Sequence, residues 1–332
     1  MTKTGYRIAV IGAGSLLGKE IGDELADSPL ATGTILLLDT EETSGTLESV
    51  GDEATFLQTM EPAALDNVDV AIFADARMLK EFAGTAKSMG AAVVDATGTS
   101  APSDGPIRSL VANPKPLSLE TSFVRVAHPV TTMLALATAK TAQAAPLAAT
   151  FATVLQPASE NGRAALDELQ QQSIHLLNFQ AAPTDEFDTQ VAFNLTSALG
   201  ESAKHPLAFT EQRVLNELQT LVPATPEPIL QWLHAPVFHG FTVSLFLQFT
   251  QPVSIDAVNA ALSLDGIELV SEEGEPPSNL LSAGQGQVLA QVKGHDRGYA
   301  VWMAADNLKL TARTAVYCAL ELTKLRPLGT VQ

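Results

Sequence analysis

The chain has 332 residues, 46% of them hydrophobic, which is enough for two domains with buried cores. Its formal net charge of −18 argues against nucleic-acid binding, because basic stripes are what bind phosphate backbones. No run approaches the roughly 18 apolar residues of a membrane span, and the first residues lead into a predicted strand without the apolar segment of a signal peptide. We therefore expect a cytoplasmic protein that binds neither nucleic acid nor membranes.

Cysteine and histidine usage limits the possible metal and redox chemistry. A single cysteine, Cys318, excludes an intramolecular disulfide and any site built from several thiolates. The six histidines are scattered and show none of the spacings of metal-binding motifs. We expect no metal site.

The first third of the chain alternates short apolar runs with amphipathic stretches of ten to fifteen residues, a pattern typical of a parallel sheet covered by helices. The predicted strands are Arg7–Ile11, Thr34–Leu38, Asp69–Ala74, Ala91–Thr97 and Ser122–Ala127. This part of the chain is predicted to form a Rossmann-type α/β domain.

From about Ala149 the predicted strands become longer, and apolar and polar residues alternate along them. They are Ala149–Gln156, Pro236–Phe249, Gln287–Gly294 and Tyr299–Ala305, with helices at Ala164–Asn178 and Thr210–Val222. An apolar helix runs from Asp306 to about Leu325. The pattern predicts an α+β domain whose sheet is mostly antiparallel.

A glycine-rich turn follows the first predicted strand and opens a helix, which is the context of a dinucleotide-binding motif. Gly12 allows the tight turn, and Gly14 lets the backbone approach a pyrophosphate. The backbone amides and the partial positive charge at the N-terminus of the helix would bind the two phosphates of that pyrophosphate. The turn residues predicted to bind the cofactor are Gly12, Gly14, Ser15, Leu16 and Leu17.

Asp39 ends the second predicted strand, where an acidic residue accepts hydrogen bonds from the adenosine ribose. Its charge would also repel a 2′-phosphate, and Glu41 and Glu42 add to that repulsion. The sequence therefore favours NAD over NADP. The alternative is that Asp39 only caps the turn.

Eight segments in order resemble the aspartate-semialdehyde dehydrogenase family over nearly the whole chain. They are GAGSLLGKE, VDVAIFADARMLKEFAGTAKSMGAAVVDATG, LVANPKP, VAHPVTT, TVLQPASENGRAALDELQQQS, TEQRVLNELQTL, HAPVFHGFTV and WMAADNLKLTARTAVYCALEL. The resemblance implies a Rossmann domain, 1–132 with 306–332, and an α+β dimerisation domain, 133–305. It also implies a homodimer and a place in amino-acid biosynthesis.

The family's chemistry requires a cysteine thiolate, a histidine base and a nicotinamide cofactor. In the stretch that resembles the nucleophile motif, Val130 holds the cysteine position. In the stretch that resembles the base motif, Phe241 holds the histidine position and His234 that of a substrate-binding arginine. His128 and His239 remain as candidate bases, and His239 would share a strand face with Phe241.

Other positions of the family's substrate site persist in part. The resemblance matches Gln156 to a substrate-contacting glutamine and Arg213 to a phosphate-binding lysine. A second phosphate-binding arginine of the family falls near Ala101, where Arg108 is the only nearby cation.

The family's cofactor-side motifs are altered as well. Asn307 persists in the DNL stretch, whereas Glu160 introduces a carboxylate where the family presents bare backbone to the cofactor.

Loss of a nucleophile alone typically costs on the order of a million-fold in rate, and here nucleophile, base and arginines are all replaced. The sequence therefore predicts a catalytically inactive homologue, similar to the family's cysteine-less, Usg-like branch, that dimerises and can bind NAD. One alternative is an NAD-dependent semialdehyde oxidoreductase with non-thiol chemistry. Another is a binder of a small anionic metabolite through Arg213 and Gln156.

Overall fold

The computed structural model describes residues 5–51, 53–110, 115–263, 266–271 and 273–326. Residues 111–114 of the segment LVANPKP and residues 327–332 of the predicted first domain lie outside this range. The chain divides into two compact units, Met1–Ala127 with Thr311–Gln332, and His128–Leu310. Among the described residues, no helix is both long and apolar enough to cross a membrane.

The first unit contains a seven-stranded sheet in which every pairing is parallel, with the order β5-β2-β1-β6-β7-β9-β8. Its strands, together with the separate hairpin β3–β4, are β1 (Arg7–Ile11), β2 (Thr34–Asp39), β3 (Leu47–Val50), β4 (Glu53–Phe56), β5 (Gln58–Thr59), β6 (Val70–Phe73), β7 (Ala92–Asp95), β8 (Ile107–Arg108) and β9 (Phe123–Val126). The predicted parallel, Rossmann-like sheet is confirmed.

Both faces of this sheet are buried, which explains why its strands read as continuous apolar runs. Along β1, Ile8 and Val10 belong to one core cluster, and Ala9 and Ile11 belong to the other. Helix α1 (Leu16–Ala26) packs on the first cluster and helix α2 (Ala76–Ser88) on the second.

The second unit contains a six-stranded sheet with the order β11-β10-β12-β15-β14-β13. Its strands are β10 (Leu147–Gln156), β11 (Ile229–His234), β12 (Phe241–Phe249), β13 (Ile267–Leu269), β14 (Val288–His295) and β15 (Gly298–Ala305). Its helices are α3 (Pro129–Ala144), α4 (Gly162–Leu177), α5 (Leu207–Leu221) and α6 (Ile255–Leu262). Helix α7 (Asn307–Leu325) begins in this unit and continues into the first.

The prediction of a mostly antiparallel sheet is wrong, because this sheet is mixed. Its three central pairings are antiparallel, whereas the edge pairs β10–β11 and β13–β14 are parallel. Alternation of apolar and polar residues reports that one face is exposed, but it carries no information about strand direction. Between β10 and β11 the chain passes through α4 and α5, and such a long crossover returns a strand in the parallel sense.

The predicted strand Pro236–Phe249 is also too long at its start. Gly240 has φ +84°, which interrupts the extended backbone, and β12 begins only at Phe241. His239 therefore lies in a bend before the strand, and the expectation that it shares a strand face with Phe241 is wrong.

Candidate functional site

The glycine-rich turn joins β1 to α1 in the first unit. The amides of Gly12 and Ala13 both donate to the carbonyl of Leu38, at 2.9 and 3.1 Å. Gly12 has φ +83°, and a Cβ atom there would lie 2.6 Å from the Cβ of Asp75. Only glycine fits this position, because of both backbone conformation and space.

Asp39 closes this turn from the end of β2. Its Oδ2 accepts a hydrogen bond from the amide of Gly14 at 2.5 Å, and its Oδ1 accepts one from the amide of Thr40 at 2.7 Å. A Cβ atom on Gly14 would lie 2.9 Å from that Oδ2. Asp39 thus caps the turn, and its carboxylate retains lone pairs for a further donor.

The start of α1 supplies the remaining polar groups of the turn. The Ser15 hydroxyl accepts from the amide of Gly18 at 3.0 Å and donates to the carbonyl of Gly12 at 2.7 Å. Within the described part of the chain, the amides of Leu16 and Leu17 have no acceptor. These two amides are the donors that this turn can offer an anion.

In the second unit, His128 lies immediately before α3 and is buried. Its Nδ1 accepts a hydrogen bond from the amide of Val130 at 3.1 Å, and its Nε2 lies 2.8 Å from Oε1 of Glu160. Because Nδ1 is the acceptor, Nε2 carries the proton and donates it to the carboxylate. Both nitrogens are therefore used inside the protein.

The positions predicted to match the family's nucleophile and base are filled by apolar side chains. Val130 and Phe241 are both fully buried. The Phe241 ring lies 5.3 Å from the ring of His128 and 6.0 Å from that of Trp232. The packing here is closed and aromatic.

Gln156, the predicted substrate-contacting residue, has both ends of its amide occupied. Its Oε1 accepts from the indole N–H of Trp232 at 2.6 Å, and its Nε2 donates to Oδ1 of Asn161 at 3.3 Å. Its side chain is fully buried on β10. The indole of Trp232 also packs edge-on against His128, with 5.8 Å between ring centroids.

Arg213, the predicted phosphate-binding residue, forms an ion pair with Glu217 one turn later in α5, with 2.7 Å between Nε and Oε1. The other oxygen of Glu217 accepts from the amide of His128 at 2.8 Å and from the hydroxyl of Thr131 at 2.7 Å. Glu217 is buried, and these donors replace the water that would otherwise solvate its charge. The i, i+4 spacing in TEQRVLNEL was the signal that could have predicted this pair.

His234, predicted to hold the position of a substrate-binding arginine, is paired with Gln156 across β10 and β11. It is fully buried, and among the described residues neither of its ring nitrogens has a hydrogen-bond partner. The ring of Phe187 packs against it at 4.8 Å between centroids. Burial lowers the pKa of His234 to about 4, because the charged form loses its hydration.

A segment that sequence reasoning missed, residues 183–196, covers His234. The backbone of Thr196 pairs with that of His234 as an antiparallel bridge. Two buried side chains of α4 hold the segment: the carboxylate of Glu168 accepts from the amide of Phe187 at 3.2 Å, and the side-chain carbonyl of Gln172 accepts from the amide of Val191 at 2.8 Å. Such long-range contacts have no local sequence signal.

Two further residues of the predicted site, Arg108 and Asn307, form hydrogen bonds with other groups of the chain. Arg108 of the first unit is buried and makes a bidentate pair with Glu321 of α7, at 2.9 and 2.5 Å, while Ala101 is exposed. In the second unit, the side-chain oxygen of Asn307 accepts from the hydroxyl of Ser159 at 3.0 Å and from the amide of Gly240 at 3.2 Å.

We predict that His234 makes the protein lose stability in mild acid. The pKa of His234 falls from the usual 6.5 to about 4 on folding. Its contribution to the free energy of unfolding is therefore fully present above pH 6.5 and is lost as the pH falls towards 4. The difference corresponds to roughly 3 kcal/mol in the free energy of unfolding. Denaturant unfolding across this range should show a shallower pH dependence for His234→Leu than for the wild type.

The exposed His205 provides the matched control, since His205→Leu should leave the wild-type pH dependence unchanged. Equal slopes for the wild type and His234→Leu would contradict this account of His234.

Comparison with known proteins agrees with the fold. The family model for the semialdehyde dehydrogenase dimerisation domain matches residues 139–310. A USG-1 protein homolog from Azotobacter vinelandii is 29% identical, with 96% of this chain and 97% of the relative covered. Aspartate-semialdehyde dehydrogenase 2 from Vibrio cholerae is 24% identical, with the same shares, 96% and 97%, covered.

A solved structure, described as a probable aspartate-semialdehyde dehydrogenase from Pseudomonas aeruginosa, has the same fold. It superposes with a TM-score of 0.86 at 24% sequence identity, and the match covers 97% of this chain and 99% of that one. The family predicted from the sequence motifs is confirmed: this chain belongs to the semialdehyde dehydrogenase family.

Proposed function

We propose that this chain is a catalytically inactive homologue of aspartate-semialdehyde dehydrogenase that forms a homodimer and binds NAD. The observation that carries the proposal is the closed set of contacts around His128. There Val130 and Phe241 are fully buried at the nucleophile and base positions, and both ring nitrogens of His128 are engaged.

The thiol mechanism has no nucleophile in this chain. Valine offers no lone pair at position 130, and Cys318 is buried in α7. Burial raises the pKa of the Cys318 thiol far above neutral, because the thiolate would lose its hydration. A thiolate at this site would be both scarce and inaccessible.

The predicted base position holds no base either. Phe241 cannot accept a proton, and His128 holds Val130 with one nitrogen and Glu160 with the other. A general base must reach the proton that it removes with a nitrogen that is not already committed. These contacts also count against the alternative of an oxidoreductase with non-thiol chemistry.

Of the three groups that would hold an anionic substrate, two are occupied by internal contacts and the third is uncharged. Arg213 is paired with Glu217, and His234 is neutral near pH 7 because its pKa is about 4. Gln156 is occupied by Trp232 and Asn161. We therefore do not favour binding of an anionic metabolite through Arg213 and Gln156, since it would first have to break these contacts.

We predict no turnover of aspartate semialdehyde with phosphate and either NAD⁺ or NADP⁺ above the rate without protein. The Vibrio cholerae aspartate-semialdehyde dehydrogenase 2 serves as the positive control. Iodoacetamide should label Cys318 only after denaturation, as measured by mass spectrometry. Turnover that iodoacetamide abolishes in the native protein would overturn the proposal.

NAD binding is supported by the glycine turn of the first unit. The unpaired amides of Leu16 and Leu17 and the dipole of α1 favour a phosphate there. The carboxylate of Asp39 can accept a ribose hydroxyl, and it lies where a 2′-phosphate would be repelled. The predicted preference for NAD rests on this charge.

We predict that NADH binds at least tenfold more tightly than NADPH, as measured by fluorescence titration. Asp39→Asn should reduce the ratio of NADH affinity to NADPH affinity, because it removes the charge but keeps an acceptor for the amide of Gly14. Asp66→Asn, at an exposed carboxylate of the same unit, should leave the ratio unchanged. If neither nucleotide binds, the cofactor part of the proposal fails.

Homodimer formation is supported by exposed apolar side chains on one face of the second sheet. Helix α3 packs against β10, β12 and β15, where Phe241, Val243 and Leu245 are fully buried. The opposite face presents Phe151 (41% exposed) and Trp302 (37% exposed). Exposed apolar surface of this kind marks an interface, and the dimerisation-domain model covers these strands. We assign self-association to the predicted domain 133–305 and nucleotide binding to 1–132 with 306–332.

We predict that Phe151→Glu converts the dimer to a monomer, because a carboxylate would be buried without a partner in the sheet interface. Light scattering coupled to size-exclusion chromatography measures the mass. Leu119→Glu, at an exposed leucine of the first unit (73% exposed), is the matched control and should remain dimeric. A monomeric wild type would refute the assignment.

A further inference from the structure

A groove along helix α2 in the first unit is distinct from the glycine turn and has its own chemistry. Its volume is about 600 Å³, within the range typical of small-molecule sites. One wall is α2, and the other is the loop of residues 99–104. Phe123, at the start of β9, also lines the groove. We call this feature the α2 groove.

The α2 groove is basic in an acidic protein. The chain has 19 Lys and Arg residues against 37 Asp and Glu residues, yet Arg77, Lys80 and Lys87 all line this groove. Among the described residues that line the groove, Asp104 is the one acidic residue, and its carboxylate accepts from the amide of Ala101 at 2.8 Å. The groove therefore carries a net positive charge, opposite in sign to the whole chain.

These three cations are not neutralised by ion pairs. Arg108, Lys204 and Arg213 each form an ion pair with a glutamate. By contrast, none of the three groove cations has an ion-pair partner within the described ranges. All three are exposed, so their charges can act on a ligand.

The spacing of the cations defines the shape of a ligand. Arg77 and Lys80 are neighbours on one face of α2, and Lys87 lies two turns further along the same face. At a rise of 1.5 Å per residue, the two ends are separated by about 10 Å. Between them the groove is apolar, with Leu79, Ala83 and the ring of Phe123, over which Lys87 Nζ sits at 5.9 Å from the centroid.

Gly84 keeps the middle of the groove open. A glycine inside a helix is less favourable than alanine, and a Cβ atom here would meet nothing within 4 Å. Packing inside the chain therefore does not account for this glycine. It exposes the helix backbone between the two cationic ends, where the body of a ligand would lie.

We propose that the α2 groove binds a small molecule with two anionic groups joined by an apolar or aromatic body. One anion lies against Arg77 and Lys80, the other against Lys87, and the body covers Ala83, Gly84 and Phe123. The negative field of the rest of the chain lowers the affinity for anions in general, so two cationic ends are needed for selective binding.

Calorimetric titration of the full chain with biphenyl-4,4′-disulfonate tests the proposal, because this probe has two anions on an aromatic body. We expect it to bind at least tenfold more tightly than biphenyl-4-sulfonate, and more weakly at high salt. The double variant Lys80→Glu/Lys87→Glu should lose at least tenfold in affinity. Lys293→Glu/Lys324→Glu changes the net charge equally at exposed sites elsewhere and should bind as the wild type does.

Gly84→Ala separates binding from folding. It should raise the thermal unfolding midpoint, since alanine favours the helix, and still weaken binding of the disulfonate. Equal affinities of the wild type and the Lys80/Lys87 variant would overturn the proposal. So would tighter binding of poly-glutamate than of the disulfonate, since that would make the groove a protein-docking surface.

Discussion

The second unit depends on one buried carboxylate, that of Glu217. It receives hydrogen bonds from the amide of His128 and the hydroxyl of Thr131, and an ion pair from Arg213. An ionised group away from water is tolerated only when such donors replace its hydration, so the start of α3 and the face of α5 are held together. This constraint fixes the position of His128, and His128 in turn positions the aromatic cluster.

From His128 the contacts continue without a gap to the remaining family positions. Its ring binds Glu160 and packs against Trp232 and Phe241, and Trp232 binds Gln156. The polar groups of His128 and Gln156 are thus satisfied by neighbouring groups of the chain. In our proposal this is why the chain can keep the family's fold with its chemistry removed: the replaced residues complete a stable interior.

In the first unit, the main constraint is the packing around the glycine turn. Its glycine turn is shaped by the chain's own packing, since Gly12 faces Asp75 and Gly14 faces Asp39. The turn would therefore keep its form whether or not a nucleotide binds. In our proposal this is how a dinucleotide-binding motif can persist in a sequence without the thiol and the base, and why the motif alone carries little information about turnover.

The sequence by itself determined the parallel sheet of the first unit and the family, and it predicted that Val130 and Phe241 hold the positions of the cysteine and the histidine. Local hydrophobic patterns and the identities of single residues are enough to predict these features. Only the tertiary structure decided that β11 and β13 run parallel to their neighbours and that residues 183–196 cover His234. It also decided that Arg213 and Gln156 are occupied. Their partners Glu217 and Trp232 act through packing across separate helices and strands, and no periodicity or spacing in the chain specifies which distant side chains meet.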